Sequence, residues 1–279
     1  TITLLQDMSG LGMRLMENGM VFDLNGHTYT LTGGTGSKGT ETSGFQIRPE
    51  VTETATIKNG TIKIAEGVQI IWMFNNYATN FVVEDVTVDC ANMAYSYGES
   101  CYVYVSRADD NAQFIGTTNI INFNAAVAGN AINVADTMTI GENVVPGGSI
   151  ELEAGATLTG PEGLDVVTVD GYRVAYANGV YTSVCKTATV MNKAELDAAL
   201  ASAIDGDTII LGADIDYGTT QLAITKAITL DLGGKTLTTR NAYGGMSVKN
   251  NPTIKNGTIV HASNTAAIKV WNAAAFEDL

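Results

Sequence analysis

Two features of the sequence predict an all-β chain that winds as a right-handed parallel β-helix: a long internal repeat, and short apolar runs that recur every 23 or 25 residues. The composition agrees with this fold class. The chain has 279 residues with 30 glycines and 4 prolines, and only 16% of its residues are charged, below the roughly 25% of ordinary globular proteins. Abundant Thr, Val, Ile and Asn with few charges is typical of β-rich extracellular proteins. We therefore expect a secreted or cell-surface protein.

The internal repeat relates the beginning of the chain to its last third. Four segments recur in the same order, and an extra Gly-, Thr- and Ser-rich loop around 33–43 explains why the offset between the copies shrinks. The matching segments are 1–7 with 208–214, 22–30 with 230–238, 56–62 with 253–259, and 71–72 with 270–271. Four ordered matches predict two copies of one module.

A shorter period lies within each copy. Gly234 and Gly257 are 23 positions apart, and Gly60 and Asp85 are 25 positions apart. Repeats of this length, rich in β-branched residues and without a helical pattern, indicate a solenoid in which each coil stacks on the previous one. The expected inward positions are Ile57, Ile62, Val86 and Val88, and the expected turn positions are Asn59, Asn119 and Asn122.

The module boundary is predicted near residue 185. Residues 1–185 form a first module that lacks its N-terminal cap, and residues 186–279 form the truncated start of a second. Asp170-Gly171 and Asn178-Gly179 lie between alternating apolar runs, a strong hairpin signal. We therefore expect the first module to end in a small three-stranded antiparallel meander over about 166–184.

One helix is predicted at the module junction, over about 192–205. Asn192 is a good N-cap, and Glu195 stands three residues later, as in a capping box. The expected apolar stripe is Leu196, Leu200 and Ile204, and Gly206 is expected to end the helix. Such a helix can cover the open end of a β-helix and shield its strand edges.

Four motifs carry a resemblance to a known family. They are GDTIIL (206–211), LDLGGKTL (230–237), IKNGTI (254–259) and the closing DGYRVAYANGVY (170–181). In these motifs the chain resembles the pectate-lyase-like right-handed β-helix modules of large surface proteins from Gram-positive, often gut-dwelling, bacteria. The resemblance implies further copies of the module in the parent chain. It leaves activity open, because the wider superfamily contains lyases, glycosidases, phage tailspikes and noncatalytic adhesins.

Clustered aromatic and acidic residues predict a glycan-binding site, since exposed aromatic rings stack on sugars and carboxylates bind their hydroxyls. The candidate residues are Trp72, Tyr77, Tyr95, Tyr97, Tyr102, Tyr104, Asp109 and Asp110. The alternative is a hydrophobic cluster beneath the loop between Cys90 and Cys101. These two cysteines are close enough in sequence to form a disulfide, or they remain buried free thiols.

Charge narrows the functional classes. A net charge of −14 argues against nucleic-acid binding, and no run approaches the roughly 20 apolar residues of a membrane span. No cofactor is predicted, although the acidity could attract calcium. Glycan or a host surface glycoprotein is the expected partner.

Three functional hypotheses remain. The first is a noncatalytic stalk or adhesin module, which the repeat favours because tandem copies build length and multivalency. The second is a polysaccharide lyase or glycoside hydrolase, for which the sequence assigns no catalytic residue. The third is a phage-type tail fibre, which requires trimerisation.

Overall fold

The computed structural model describes residues 1–36, 41–48, 53–76, 80–93, 103–105, 111–124 and 129–279, with the backbone alone at 103–105. The chain divides into two compact units, Thr1–Val184 (unit 1) and Cys185–Leu279 (unit 2). Both consist mainly of parallel strands, and the described residues contain one α-helix. The prediction of an all-β chain is confirmed.

Nineteen strands begin in the described part of unit 1. They are β1 (Ile2–Thr3), β2 (Met8–Leu11), β3 (Met13–Leu15), β4 (Val21–Asp23), β5 (Thr28–Gly33), β6 (Ser43–Ile47), β7 (Ala55–Ile64), β8 (Trp72–Asn76), β9 (Asn80–Asp89), β10 (Val103–Val105), β11 (Asn111–Ile115), β12 (Asn119–Ile121), β13 (Asn130–Val134), β14 (Thr137–Ile140), β15 (Ser149–Leu152), β16 (Thr157–Thr159), β17 (Val166–Thr168), β18 (Tyr172–Ala177) and β19 (Val180–Cys185).

These strands form two sheets. The larger has twelve strands in the order β1-β4-β7-β9-β11-β14-β16-β19-β18, with β2, β5 and β12 paired alongside. The smaller has seven strands in the order β17-β15-β13-β10-β8-β6-β3. Each strand of the seven-stranded sheet follows one or two strands of the larger sheet, so neighbours within a sheet come from successive passes of the chain.

Stacked apolar rows form the core of unit 1. In the twelve-stranded sheet one row joins Phe22, Ile57, Val83, Phe114 and Ile140 through consecutive strand pairs. All are at most 2% exposed, and each contributes about 1.5–3 kcal/mol by leaving water. The four predicted inward residues are also buried, which confirms that prediction.

The predicted coil period needs one correction. Gly60 pairs with Val86, not Asp85, so Asn59 lies opposite Asp85. Both have left-handed backbones, with φ of 59° and 54°, and alignment of these bends sets the register. Asn122 also has a positive φ, as expected of a turn, but Asn119 begins β12 and was wrongly predicted to lie in a turn.

The predicted three-stranded meander at 166–184 is wrong in its first strand. β17 pairs in parallel with β15 and completes the seven-stranded sheet, where Val166 packs against the core. The antiparallel part consists of β18 and β19, joined at Asn178 and Gly179, and of the pairing between β19 and β16. Both turn residues have positive φ, 52° and 81°, as a type I′ hairpin requires.

Unit 2 contains one helix, α1 (Lys193–Ser202), and its strands pair only in parallel. The strands are β20 (Thr187–Val190), β21 (Thr208–Leu211), β22 (Ile215–Gly218), β23 (Leu222–Ile224), β24 (Thr229–Asp231), β25 (Thr236–Thr239), β26 (Met246–Val248), β27 (Thr253–Lys255), β28 (Thr258–His261), β29 (Ile268–Val270) and β30 (Ala275–Glu277).

Three sheets run along unit 2, and the chain visits them in a fixed order. They are β20-β21-β24-β27-β30, β22-β25-β28 and β23-β26-β29. Each pass therefore adds one strand to each sheet. The inward residues Leu230, Leu237 and Met246, one from each sheet, are fully buried in a common core.

The helix begins as predicted and ends earlier. The Asn192 side chain accepts a hydrogen bond from the Glu195 backbone at 3.0 Å, and the Glu195 carboxylate accepts one from Met191 N at 2.7 Å. Leu196 is fully buried, but the helix ends at Ser202, so Ile204 lies beyond it and is 48% exposed. Lys226 Nζ ends the helix instead by donating to the carbonyls of Leu200, Ala201 and Ala203.

The internal repeat is visible as shared local geometry in the two units. β1 pairs with β4, and β4 with β7, in the registers that β21, β24 and β27 repeat. Asp7 accepts a bond from Thr28 N at 2.9 Å, and Asp214 accepts one from Thr236 N at 2.8 Å.

The fourth sequence match does not hold in the structure. Trp72 begins β8, whereas Trp271 follows the end of β29.

Candidate functional site

The seven-stranded sheet of unit 1 carries a row of polar positions on the face opposite its core. Side chains alternate between the two faces of a strand, so the neighbours of inward Phe45, Phe74 and Ile132 point outward. Consecutive strand pairs align these outward positions in one row, which we call the polar row. Its positions are Arg14, Gln46, Asn75, Tyr104, Asn133 and Glu151.

The central amides of the polar row are buried, although they lie on an outward face. Gln46, Asn75 and Asn133 are 3%, 1% and 6% exposed. Two of their amide nitrogens are bound: Asn75 Nδ2 donates to Ser43 Oγ at 3.2 Å, and Asn133 Nδ2 donates to Glu151 Oε1 at 3.1 Å. These bonds fix the direction in which the amide oxygens point.

The amide oxygens are the unusual feature. Gln46 Oε1, Asn75 Oδ1 and Asn133 Oδ1 are buried and accept no hydrogen bond from any residue that the structure describes. A buried polar atom without a partner costs about 1–3 kcal/mol. Three such acceptors in one row therefore require donors beyond the described side chains, which are other residues of the chain, water or a ligand.

Half-buried groups border these oxygens. Glu151 accepts from Asn130 Nδ2 at 3.0 Å through the oxygen that Asn133 does not use, and Ser149 donates to Asn130 Oδ1 at 2.7 Å. Trp72, the first residue of β8, also has a buried indole nitrogen with no partner among the described residues, but it shares the strand face of inward Phe74 and not that of Asn75. The polar row thus offers three acceptors held by the sheet.

The spacing of the row suits a ligand that crosses several strands. Adjacent strands lie about 4.8 Å apart, so Gln46 and Asn75 are separated by about one such step. Asn75 and Asn133 are separated by two steps, about 10 Å, because β10 lies between them. Hydroxyl groups along an extended chain can donate to acceptors at this spacing.

The structure describes two of the eight predicted site residues. Trp72 lies on the strand face of inward Phe74, opposite the polar row. The Tyr104 backbone occupies the row position between Asn75 and Asn133. The other six lie outside the described residues: Tyr77, Tyr95, Tyr97, Tyr102, Asp109 and Asp110. Their role in ligand binding stays a prediction.

Gln46, Asn75, Asn133 and Glu151 were missed in the sequence. A signal exists, because each follows an inward apolar residue: Phe45-Gln46, Phe74-Asn75, Ile132-Asn133 and Ile150-Glu151. Aligning these dipeptides coil by coil would have placed the polar residues in one row.

Cys90 lies in the unit 1 core and is 4% exposed. Burial, followed by the charge of neighbouring Asp89, raises the pKa of its thiol to about 12. Cys101 lies outside the described residues, so the disulfide between them stays a prediction.

No metal centre is evident in the described ranges, which contain no group of three or more His, Cys, Asp or Glu side chains placed to hold an ion. Nor does the described part of the chain include a helix of the length and apolarity needed to cross a membrane. Comparison with known proteins gives no match: no family model fits the chain, and no curated protein or solved structure is significantly similar to it.

Proposed function

We propose that the chain is a noncatalytic extracellular module of a bacterial surface protein, of stalk or adhesin type, that binds glycan along the polar row. The observation that carries this proposal is the set of buried acceptor oxygens of Gln46, Asn75 and Asn133. A glycan lying across the strands contacts the half-buried rim at Asn130 and Glu151 directly. Bound water connects its hydroxyls to the deeper oxygens, as in many polar sites.

The finer architecture is part of the same proposal. We infer that each unit is a right-handed parallel β-helix of the pectate-lyase-like type. Support comes from the fixed order in which unit 2 visits its three sheets and from the stacked inward rows. We infer a right-handed coil because connections between parallel strands of one sheet are almost always right-handed. The repeated strand registers favour a module that occurs in tandem, which suits a stalk or a multivalent adhesin.

The polar row supports binding more than catalysis. Glu151 is the one carboxylate among its positions, and both of its oxygens accept bonds from asparagine amides. Glycoside hydrolysis generally uses two carboxyl groups at a set separation. An amide-rich row instead supplies the donors and acceptors that recognise hydroxyls.

A volume-conserving substitution tests the proposal. Gln46→Met keeps the side-chain length and removes the partnerless oxygen. Its expected effect on the free protein is neutral or stabilising, since a buried unsatisfied acceptor disappears. Affinity for the glycan that the wild-type chain binds best on a glycan array should fall about tenfold, the worth of one good hydrogen bond.

Gln113→Met is the matched control, because Gln113 is a half-buried amide on the twelve-stranded sheet. It should leave glycan affinity unchanged. A fall in the melting temperature of Gln46→Met without loss of affinity would show that the row binds structural water only. Release of an unsaturated product that absorbs ultraviolet light, or of new reducing ends, from the same glycans would overturn the noncatalytic assignment.

A further inference from the structure

Five asparagines of the chain directly precede a glycine: Asn18, Asn25, Asn59, Asn178 and Asn256. Asparagine is thermolabile, and it is most so before glycine, whose backbone nitrogen can attack the side-chain carbonyl with no Cβ in the way. The product of this attack is a cyclic imide. All five pairs share this local chemistry, so differences in their reactivity must come from the fold.

Two of these asparagines are held by carboxylates. The amide nitrogens of Asn59 and Asn256 donate to Asp23 and Asp231, at 3.1 and 3.0 Å. In the second case the attacking nitrogen is engaged as well, since Gly257 N donates to a main-chain carbonyl at 3.1 Å. These bonds must break before the side chain can turn toward the glycine nitrogen.

Two more are held by the main chain of another segment. Asn25 Nδ2 donates to Leu4 O at 3.1 Å, and Gly26 N donates to a main-chain carbonyl at 2.6 Å. Asn18 Oδ1 accepts from Glu53 N at 3.2 Å. Both asparagines are exposed to solvent, so these bonds rather than burial protect them.

Asn178 differs from the other four. It lies at the tip of the hairpin between β18 and β19, where both Asn178 and Gly179 are exposed. Its side chain makes no hydrogen bond to any residue that the structure describes, and Gly179 N donates to none of those residues. A Cβ added at Gly179 would meet no atom within 4 Å. Both reacting groups are therefore unrestrained and open to water.

We propose that Asn178 is a modification site, at which the folded chain deamidates to aspartate and isoaspartate. Gly179 N forms a bond to Asn178 Cγ, and the side-chain nitrogen leaves as ammonia with the proton that Gly179 N loses. Water then opens the cyclic imide at either of its carbonyls. The isoaspartate product lengthens the main chain by one carbon within a two-residue turn, so it loosens β18, the last strand of the twelve-stranded sheet.

Peptide mapping of the full folded chain during incubation in mildly alkaline buffer tests this site. Digestion in heavy-oxygen water marks any deamidation that occurs during the digestion itself. We expect Asn178 to deamidate at least about fivefold to tenfold faster than each of the other four, the rate factor that one hydrogen bond is worth. Asn178→Gln should remove most of the early ammonia release, because its longer side chain would have to close a larger ring.

The control is the same chain in urea, where no folded structure distinguishes the five pairs, so the lead of Asn178 should disappear. Deamidation of Asn178 no faster than that of Asn59 or Asn256 in the folded chain would overturn the proposal. So would a lead that persists in urea, since the fold would then not be the cause, or ammonia release that Asn178→Gln leaves unchanged.

Discussion

The side-chain amide of Asn59 donates to the Asp23 carboxylate at 3.1 Å, and in unit 2 Asn256 makes the same bond to Asp231 at 3.0 Å. Both asparagines have left-handed backbones, with φ of 59° and 57°. In both units the residue before the asparagine is a lysine whose ammonium approaches the same carboxylate, at 3.8 and 4.0 Å. We call this arrangement of Lys, Asn and Asp the asparagine corner, formed by Lys58, Asn59 and Asp23 in unit 1. The same arrangement occurs in both units.

We predict that this corner stabilises each unit through two separable effects. Asn59→Gly keeps access to positive φ and loses the amide, so it should cost about 1 kcal/mol of unfolding free energy. Asn59→Ala loses the amide and strains the backbone, so it should cost about 2–3 kcal/mol. Urea unfolding of both variants measures the difference. At Asn256, substitution by alanine should likewise cost more unfolding free energy than substitution by glycine. Equal costs for the glycine and alanine variants would contradict the backbone contribution.

The glycine that follows each asparagine is predicted to be required for a different reason. A Cβ on Gly60 would lie 2.5 Å from both His27 O and Leu24 Cβ, and one on Gly257 would lie 2.4 Å from Leu232 Cβ. Neither backbone has a positive φ, so the close approach of the neighbouring turn is the cause. Gly60→Ala should destabilise by about 1–3 kcal/mol, as overpacking does.

Gly141→Ala provides the control for that substitution. Its added Cβ would meet its nearest neighbours at 3.4–3.7 Å, ordinary contact distances. Its effect should stay within about 0.5 kcal/mol. A cost for Gly141→Ala equal to that of Gly60→Ala would show that steric crowding is not the cause.

The sequence predicted those parts of the fold that depend on local chemistry and periodicity. Asn59 and its repeat could be located because Asn-Gly carries its own backbone preference. The inward row at Ile57 followed from alternation with period two. The start of the helix could be predicted because the capping box of Asn192 and Glu195 depends only on contacts between residues close in sequence.

The burial of the polar row could not be predicted by the same reasoning. Polar residues at alternate strand positions predict a solvated face, yet Gln46, Asn75 and Asn133 are buried. Burial of an outward face depends on what packs over it, and a pattern with period two contains no information about that. The pairing of β17 was missed for a related reason, because a turn such as Asp170-Gly171 does not specify which sheet each flanking strand joins.

Acid should weaken the attachment of α1 to its sheet. The Lys193 ammonium hydrogen-bonds Asp197 and, with a second bond from Tyr217 at 2.5 Å, lowers the pKa of the Asp197 carboxyl. A lowered folded-state pKa adds stability above the unfolded value of about 3.9, and this stability is lost as the pH falls through the folded value. The Lys193 and Asp197 side chains are 36% and 42% exposed, so solvent screening limits the pair to about 1 kcal/mol or less.

Urea midpoints measured from neutral pH down to about pH 3 test this linkage, since that range spans the carboxyl titration. Asp197→Asn should lower the midpoint near neutrality and make little difference at the acid end. Tyr217→Phe should reduce the pH dependence of the midpoint only in part, because the hydrogen bond from Lys193 to Asp197 remains. An Asp197→Asn midpoint that runs parallel to the wild type at every pH would exclude Asp197 as the titrating group.

Thiol counting tests the predicted disulfide and the burial of Cys90 together. Cys185 is exposed, whereas the Cys90 thiol is buried with its pKa raised to about 12. Because the thiolate is the reactive form, iodoacetamide at about pH 8 should label Cys185 in the folded chain and leave Cys90 unmodified. In denaturant without reductant, mass spectrometry should find one labelled cysteine if Cys90 and Cys101 are joined. It should find three if both are free, and a Cys185→Ser variant should then show two. Rapid labelling of Cys90 in the folded chain would contradict its burial in the core.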